Sequence, residues 1–529
     1  MAVKNPADSP AWEPFRYPIF RALWLASLAS HVGSWMQDVG AAWLMTTLAP
    51  SPLMVALVQA AGDLPVLLLA LPAGALADLL DRRRLLLFTQ SWMMLGAAVL
   101  GGLTLIGWIN PWILLAFTFA ISAGEALNNP AWQAIASDLV PRPQLRQAIT
   151  LNGAGYNLAR AVGPALAGMS VAAIGSGCAF LLNAASFLAV VFVLFRWRRT
   201  APPSVAPAER VVGAMGAGLR YIRNSSELLA ILMRVASFVL GGSALWALLP
   251  LFVRQELGQT SLGYGILLGA FGVGAVTATW GLPSLRGHLP INRMVAASTA
   301  LFAGAILCLS FLRQPLVLFL VMFAGGGAWM ALLSSFMGAV QTATPLWVRG
   351  RALSIYLLIF QGGMASGSIF WGFVAEVTGI PNAFKLAALA LLLGLLTLIR
   401  YRLPLCEMDF TPYPHWPAPG TLSDSDLERG PILVSVEYRI EPARKEEFAE
   451  AMEALKQLRR RDGAIRWELF SDANDPRRQL EFFLVESWAE HLRQHERFTQ
   501  ADRLIEERAR SFHVGKDPPQ VSHLLFEAG

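Results

Sequence analysis

Apolar residues run along this chain in blocks of about 20, each closed by a short connection containing Pro, Gly or Arg. A block of that length crosses a hydrocarbon core of about 30 Å as one helix. The pattern predicts twelve such helices, near 19–47, 53–78, 84–107, 112–137, 146–174, 178–196, 228–253, 262–283, 292–312, 315–340, 350–378 and 382–402. The longest interruption separates the sixth from the seventh. Its Pro/Ala part reads as a linker, and Glu209 to Arg223 as a helix lying on a membrane surface. Beyond residue 402 the periodicity changes. A Pro-rich linker leads to "ILVSVEYRI", which alternates as a strand, and to the amphipathic helix "ARKEEFAEAMEALKQLRRR". "AIRWELFSD" and "QLEFFLVESW" read as strands, "AEHLRQHERFTQADRLIEERAR" as one helix and "QVSHLLF" as a last strand. That is the β-α-β-β-α-β order of a ferredoxin-like unit.

The predicted organisation is a cytoplasmic tail over 1–18, six-helix bundles over 19–196 and 228–402 around a central cytoplasmic loop over 197–227, a linker over 403–430 and a cytoplasmic domain over 431–529. The fold class is an all-α polytopic membrane protein, with twelve transmembrane helices in two six-helix bundles, plus a C-terminal α+β ferredoxin-like domain. Composition agrees: 55% of residues are hydrophobic and 15% charged, where a soluble domain has about 25% charged. The net charge of +6 sits in alternate connections, which carry Arg82–Arg84, Arg142, Arg146, Arg286, Arg293, Arg349, Arg351, Arg400 and Arg402. The opposite connections are nearly free of cations. This bias places both termini in the cytoplasm of a cell whose inner membrane the chain spans, and it explains the basic balance without nucleic acid. Cys178, Cys308 and Cys406 lie far apart and form no metal or disulfide pattern. The first twenty residues lack the layout of a signal peptide and read as a retained tail. No cofactor or metal is expected.

The halves repeat. At one offset of 204 residues, Pro111 aligns with Pro315, Pro141 with Pro345, Gly163 with Gly367, Gly168 with Gly372 and Gly175 with Gly379. Duplicated parallel bundles with a site between them are what such a repeat implies. Charges inside the spans do not repeat: Glu125 falls opposite Trp329, and Arg160 opposite Met364. Intramembrane charges are costly and point to function. Asp38, Asp63, Glu125 and Arg160 are therefore the candidate proton-coupling or cavity residues. Glu125 and Arg160 reach similar depth, roughly 20 Å from their starting surfaces at 1.5 Å per residue. They can form a coupling pair that exchanges its partner for a proton, form a static pair that fixes helix orientation, or make no contact. Asn128, Asn129, Asn157 and Gln361 are candidates for the substrate pathway. Arg234 and Glu376 lie near span ends and read as interfacial.

Three stretches carry resemblances. In "PAGALADLLDRRR", Gly74, Asp78, Arg82 and Arg83 resemble the loop signature of the major facilitator superfamily, G-x-x-x-D-R/K-x-G-R/K-R/K, with Leu79 and Asp81 departing from it. The second half keeps only "GLPSLRGHLP", with Leu285 where the acid should be. The resemblance implies a gating latch at Asp78, Arg82 and Arg83; a topogenic loop is the plainer alternative. Gly74 is expected to let helices approach closely. In "GAGYNLARAVGPALAG", Gly163, Pro164 and Gly168 resemble the helix-packing motif of drug/proton antiporters, although Thr150 and Ala159 replace its earlier glycines. Together with "SWMQDVGAAWL", these stretches resemble the transmembrane secretion effectors, the subgroup that includes the enterobactin exporter. In the tail, "VESWAEHLRQHERFT" resembles antibiotic-biosynthesis-monooxygenase-like domains, which often pair as dimeric α+β barrels and so imply a homodimer. His491 and His495 share a helix face there, but without metal-site spacing; they read as solvated.

These observations imply a secondary active transporter. The expected activity is proton-coupled export of a small organic molecule, such as a drug-like compound, siderophore or secondary metabolite, by alternating access. Its partners are that substrate, protons and the bilayer. An importer on the same fold, a membrane-tethered oxidoreductase working through residues 431–529, and a non-transporting receptor are the alternatives.

Overall fold

The computed structural model describes residues 12–197, 218–401, 403, 409–411, 413 and 430–526. Within its helices, the side chains at 71, 75, 78, 79 and 285–288 lie outside the described set, among them that of Asp78, the acid of the expected latch. Most of the expected central loop and of the Pro-rich linker, with Cys406, also lies outside it.

The described residues form two compact units. The first, Met1–Val205 with Leu232–Phe336 and Ser354–Arg400, is helical. Its helices, named here α1 to α11, are Pro18–Leu48, Pro52–Leu79, Arg82–Leu105, Pro111–Leu139, Leu145–Arg196, Ser226–Gln255, Ser261–His288, Ile291–Phe311, Pro315–Thr342, Leu346–Thr378 and Ile380–Gly394. A single turn, α12, follows at Thr397–Arg400. Among the described residues ten helices are long and apolar enough to cross a membrane.

Local chemistry sets the starts. Pro18, Pro52 and Pro111 occupy first helical positions, where a missing N–H costs nothing. Ser51, Asp81 and Asn110 accept from the backbone N–H groups of Met54, Arg84 and Ile113 at 3.4, 2.9 and 2.9 Å. The predicted fifth and sixth spans are two helical segments of α5 that meet at a kink at Gly175, whose φ is +79°. Gly379, at φ +85°, separates α10 from α11. The two positions are one repeat apart, so the halves share even this backbone exception, which a side chain would strain.

The second unit comprises Ala206–Ile231, Met337–Leu353 and Tyr401–Gly529. Its strands β1 (Ile432–Arg439), β2 (Arg466–Ser471), β3 (Arg478–Val485) and β4 (Gln520–Leu525) form one sheet in the order β2-β3-β1-β4. Every neighbouring pair is antiparallel. Ile432, Val434, Val436 and Tyr438 alternate onto the buried face and pack with Phe448, Met452 and Leu455 of α13 (Lys445–Asp462). The single helix expected over 489–510 is in fact two, α14 (Trp488–Arg497) and α15 (Gln500–Arg510). The Asp502 carboxylate accepts from the backbone N–H and the hydroxyl of Thr499, at 3.0 and 2.7 Å. This capping box starts a new helix where apolar periodicity alone shows none.

Candidate functional site

The first unit divides between the repeats, α1–α5 and α6–α11. "Distal" denotes the end where α1 gives way to α2 and α10 to α11; "proximal" denotes the end where the chain enters α1.

At the proximal end of the first repeat, two of the signature arginines tie helix ends together. Arg82 meets Asp138, at the end of α4, at 3.6 Å. Arg83 donates to the carbonyls of Leu194 and Phe195 at 2.9 and 2.7 Å, capping the last turn of α5. A guanidinium there complements the negative end of the helix dipole. Asp81, the departure from the signature, caps α3. The close approach expected at Gly74 is not present among the described residues: none of them lies within 4 Å of where its Cβ would be. The second repeat uses a different tie, with buried Arg234 donating to Asn292 at 2.9 Å.

Halfway along the helices lie the intramembrane charges. Asp63, buried, accepts from Gln59 of its own helix at 2.9 Å and from Gln361 of α10 at 3.3 Å. The second contact joins the two repeats. Asp38 and Glu125 are exposed, and Asp38 lies within electrostatic reach of both Asp63 and Glu125. Three carboxylates from α1, α2 and α4 thus face one region, beside the side chain of Gln361. Arg160 is not paired with Glu125 here. Its electrostatic neighbour is Tyr156, one turn earlier on α5, whose ring sits edge-on to His31 at 5.4 Å. Tyr156 lies within electrostatic reach of Arg160, Glu125 and Asp38 alike. Asn128 is buried and accepts from Thr89 and Gln90 at 2.9 and 3.2 Å, a tie between α3 and α4. Asn129 is exposed and Asn157 half-buried.

The second repeat presents no such charges at this level among the described residues. Trp329 is instead the hub of an aromatic cluster, with ring centroids 5.3 Å from Phe238, 5.3 Å from Phe302, 5.8 Å from Trp246 and 6.1 Å from Phe360. Nothing in the sequence pattern singled it out beyond its alignment with Glu125.

Towards the distal end the repeats touch through glycine. A Cβ on Gly168 of α5 would lie 2.5 Å from the carbonyl oxygen of Ser261 and 2.7 Å from Cα of Gly265, both on α7. On the repeat-related Gly372 of α10, it would lie 2.5 Å from Cβ of Ala56 and 3.2 Å from Cα of Leu53, on α2. The two seams exchange under the pseudo-two-fold axis of the repeat. Gly163 packs under Trp35, where a Cβ would approach to 2.6 Å, and Pro164 offers its carbonyl to the Gly265 contact. Direct bonds add to the seams: Arg254 donates to the Thr46 hydroxyl at 3.0 Å, Gln255 to the Pro50 carbonyl at 3.2 Å, and Ser51 to the Glu376 carboxylate at 2.6 Å.

In the second unit, His491 and His495 do share a helix face, with Nε2 atoms 3.2 Å apart, but His491 is buried rather than solvated. Burial, then the neighbouring His495 and His523, push its pKa down to about 3. The adjoining cavity, lined by Arg459, Asp462, His491 and Phe498, measures about 30 Å³, room for water and not for an organic substrate. Arg459 is spent on Glu481 and Glu506, at 3.2 and 3.5 Å. This unit also holds the segments 218–231 and 337–353 against its α+β part. Arg497 lies 4.3 Å over the ring of Trp347, Arg461 lies 5.2 Å over Tyr221, and Arg220 meets Glu490 at 3.5 Å.

Known proteins resemble this chain along most of its length. The family described as transmembrane secretion effector matches residues 9–529. The staphyloferrin A transporter of Staphylococcus aureus is 26% identical over 369 residues, 69% of this chain and 91% of that protein. The multidrug efflux pump Tap of Mycolicibacterium fortuitum is 26% identical over 404 residues, 74% and 97% of the two chains. Among solved structures, a bacterial homolog of the human lysosomal transporter Spinster, inward-facing and unoccupied, superposes with a TM-score of 0.58 at 14% identity, covering 73% of this chain and 95% of that one. The nucleoside transporter NupG does so with a TM-score of 0.57 at 14% identity, covering 73% and 100%. The structural likenesses establish a shared fold.

Proposed function

Because the chain belongs to the transmembrane secretion effector family of major-facilitator transporters, we propose that it exports a small organic molecule from the cytoplasm by proton-coupled alternating access. Export is the direction named for the multidrug and macrolide efflux relatives. A siderophore, an antibiotic or another drug-like molecule is the substrate class those relatives suggest. In this reading α5 crosses the membrane twice, about Gly175, which with α1 gives twelve crossings. The termini are cytoplasmic, the membrane is the inner one, and the distal end faces outwards.

One observation carries the coupling: Asp63 reaches across the repeats to Gln361 at mid-depth, within the field of Asp38 and Glu125. An ionised Asp63 accepts from Gln361 and Gln59, and so holds α2 to α10. Protonation turns one carboxylate oxygen into an O–H donor and removes the charge, which weakens that tie. Gain and loss of a proton at this acidic group would then shift the balance between the conformations that alternate. Arg160, beside Tyr156 and unpaired with Glu125 in this conformation, is free to meet a carboxylate or an anionic substrate in another. The test is purified protein in liposomes, scored for substrate-dependent proton movement across a panel of siderophores and antibiotics. No proton movement with any transported compound would remove the coupling.

The tail supports a second, separate proposal. Its sheet order is that of a ferredoxin-like unit, and Phe470, Phe482 and Leu524 stand on the face opposite the helices. We read this face as the pairing surface of a homodimer related to the antibiotic-biosynthesis-monooxygenase-like domains, without their chemistry. A monomer in detergent with all 529 residues present would dismiss it.

A further inference from the structure

We propose that Glu376 is the bolt of the distal gate: its carboxylate, carried by α10, seats on the first turn of α2 and holds one of the two seams shut. The face of α2 that meets α10 recurs at helical spacing as Leu53, Ala56, Ala60, Asp63 and Leu67. Along it α10 runs in the opposite sense. Gly362 lies against Leu67, Gln361 bonds Asp63, and Gly372 rests on Ala56 and Leu53. Glu376, one turn beyond Gly372, reaches the end of the seam. There its Oε2 accepts from the Ser51 hydroxyl at 2.6 Å and the Leu53 backbone N–H at 3.3 Å. Both donors belong to the opening turn of α2, where N–H groups lack intrahelical acceptors and the dipole favours an anion. The contact is therefore charge-assisted and confined to a conformation in which the seam is closed.

The other seam has no counterpart among the described residues. One repeat earlier than Glu376 stands Ala172, and instead of a carboxylate there is a cavity of about 460 Å³ lined by Trp43, Thr47, Ala172, Arg254, Gln259 and Ser261. The distal gate carries a carboxylate bolt on the α2–α10 side and, among the described residues, none on the α5–α7 side. Sequence position alone made Glu376 an interfacial acid; its two donors lie more than 300 residues away.

The inference rests on alternating access, and its test separates the two. Ala60 is buried on the seam face between Ala56 and Asp63. Ala60→Cys, in protein whose Cys178, Cys308 and Cys406 are replaced by Ser, reports opening through its rate of reaction with a membrane-impermeant maleimide added outside intact cells. Glu376→Ala is expected to raise that rate about tenfold. Ser51→Ala should raise it several-fold, adding nothing when combined with Glu376→Ala, and Ser51→Thr, which keeps the hydroxyl, should restore the slow rate. Should Glu376→Ala fail to insert, Ser51→Ala against Ser51→Thr decides alone. Labelling that responds to an imposed pH gradient but to none of these substitutions overturns the bolt and leaves alternating access standing. Labelling that is fixed under every gradient and in every variant overturns both.

Discussion

Glu125 and Trp329 occupy the same place in the two repeats and do opposite things. In the first repeat that position lies beside Asp38, Asp63, Tyr156 and, through Tyr156, Arg160. In the second it anchors Phe238, Trp246, Phe302 and Phe360 in a packed aromatic cluster. The glycines around both are shared, down to the positive φ of Gly175 and Gly379. Duplication kept the scaffold and let the chemistry separate: one half handles charge, the other supplies a stiff apolar wall. At mid-depth the Asp63–Gln361 bond joins these unlike halves.

The comparison breaks most visibly at Asp63. Asp63→Asn should reduce gradient-driven transport by more than tenfold in liposomes while leaving insertion intact; rates near those of the unaltered protein would return the role to Asp38 or Glu125. Trp329→Ala should cost about 3–5 kcal/mol as its packed cluster loses its centre, read as a fall in the thermal midpoint in detergent. Glu125→Gln should change that midpoint little, and a large fall there would erase the division of labour. Gly175→Ala and Gly379→Ala should each cost about 1–3 kcal/mol, and by similar amounts, because both force a side chain into an extended, positive-φ backbone that glycine alone adopts readily.

A pH-dependent effect belongs to the tail. Unfolded, an imidazole takes its proton near pH 6.5; folded, His491 takes it only near pH 3. Unfolding therefore binds a proton within that window, and acidification from 6.5 towards 3 destabilises the α+β part by at most about 1.4 kcal/mol per pH unit. Above pH 6.5 this residue contributes no slope. Hydrogen exchange of the β1 and β3 peptides in the intact chain measures it, and His491→Phe should flatten the dependence.

How much of this the sequence disclosed depends on the range of the forces involved. Apolar blocks, proline starts and short-range caps are local, so helix ends were legible to within a few residues; α2, expected over 53–78, spans Pro52–Leu79. The break inside 489–510 was also local, but it lay in a Thr499–Asp502 capping box that periodicity does not register. The residues of the site were legible as types: Asp63 and Gln361 stood out as polar groups in apolar spans. Their pairing was not, because contacts across about 300 residues leave no spacing to read. The same distance hid Glu376 behind its span-end position. Equal depth likewise left open whether Glu125 and Arg160 meet, and in this conformation they form no ion pair.

Gly168 and Gly372 bring bare backbone against the facing helices at the distal seams, onto peptide groups and the methyl of Ala56. A side chain can follow a retreating neighbour by changing rotamer, so its contact fades gradually. Bare backbone has nothing to extend, and each seam is either touching or parted, like a shutter with no half-way stop. A transporter built on such seams has little room to leak while it turns over.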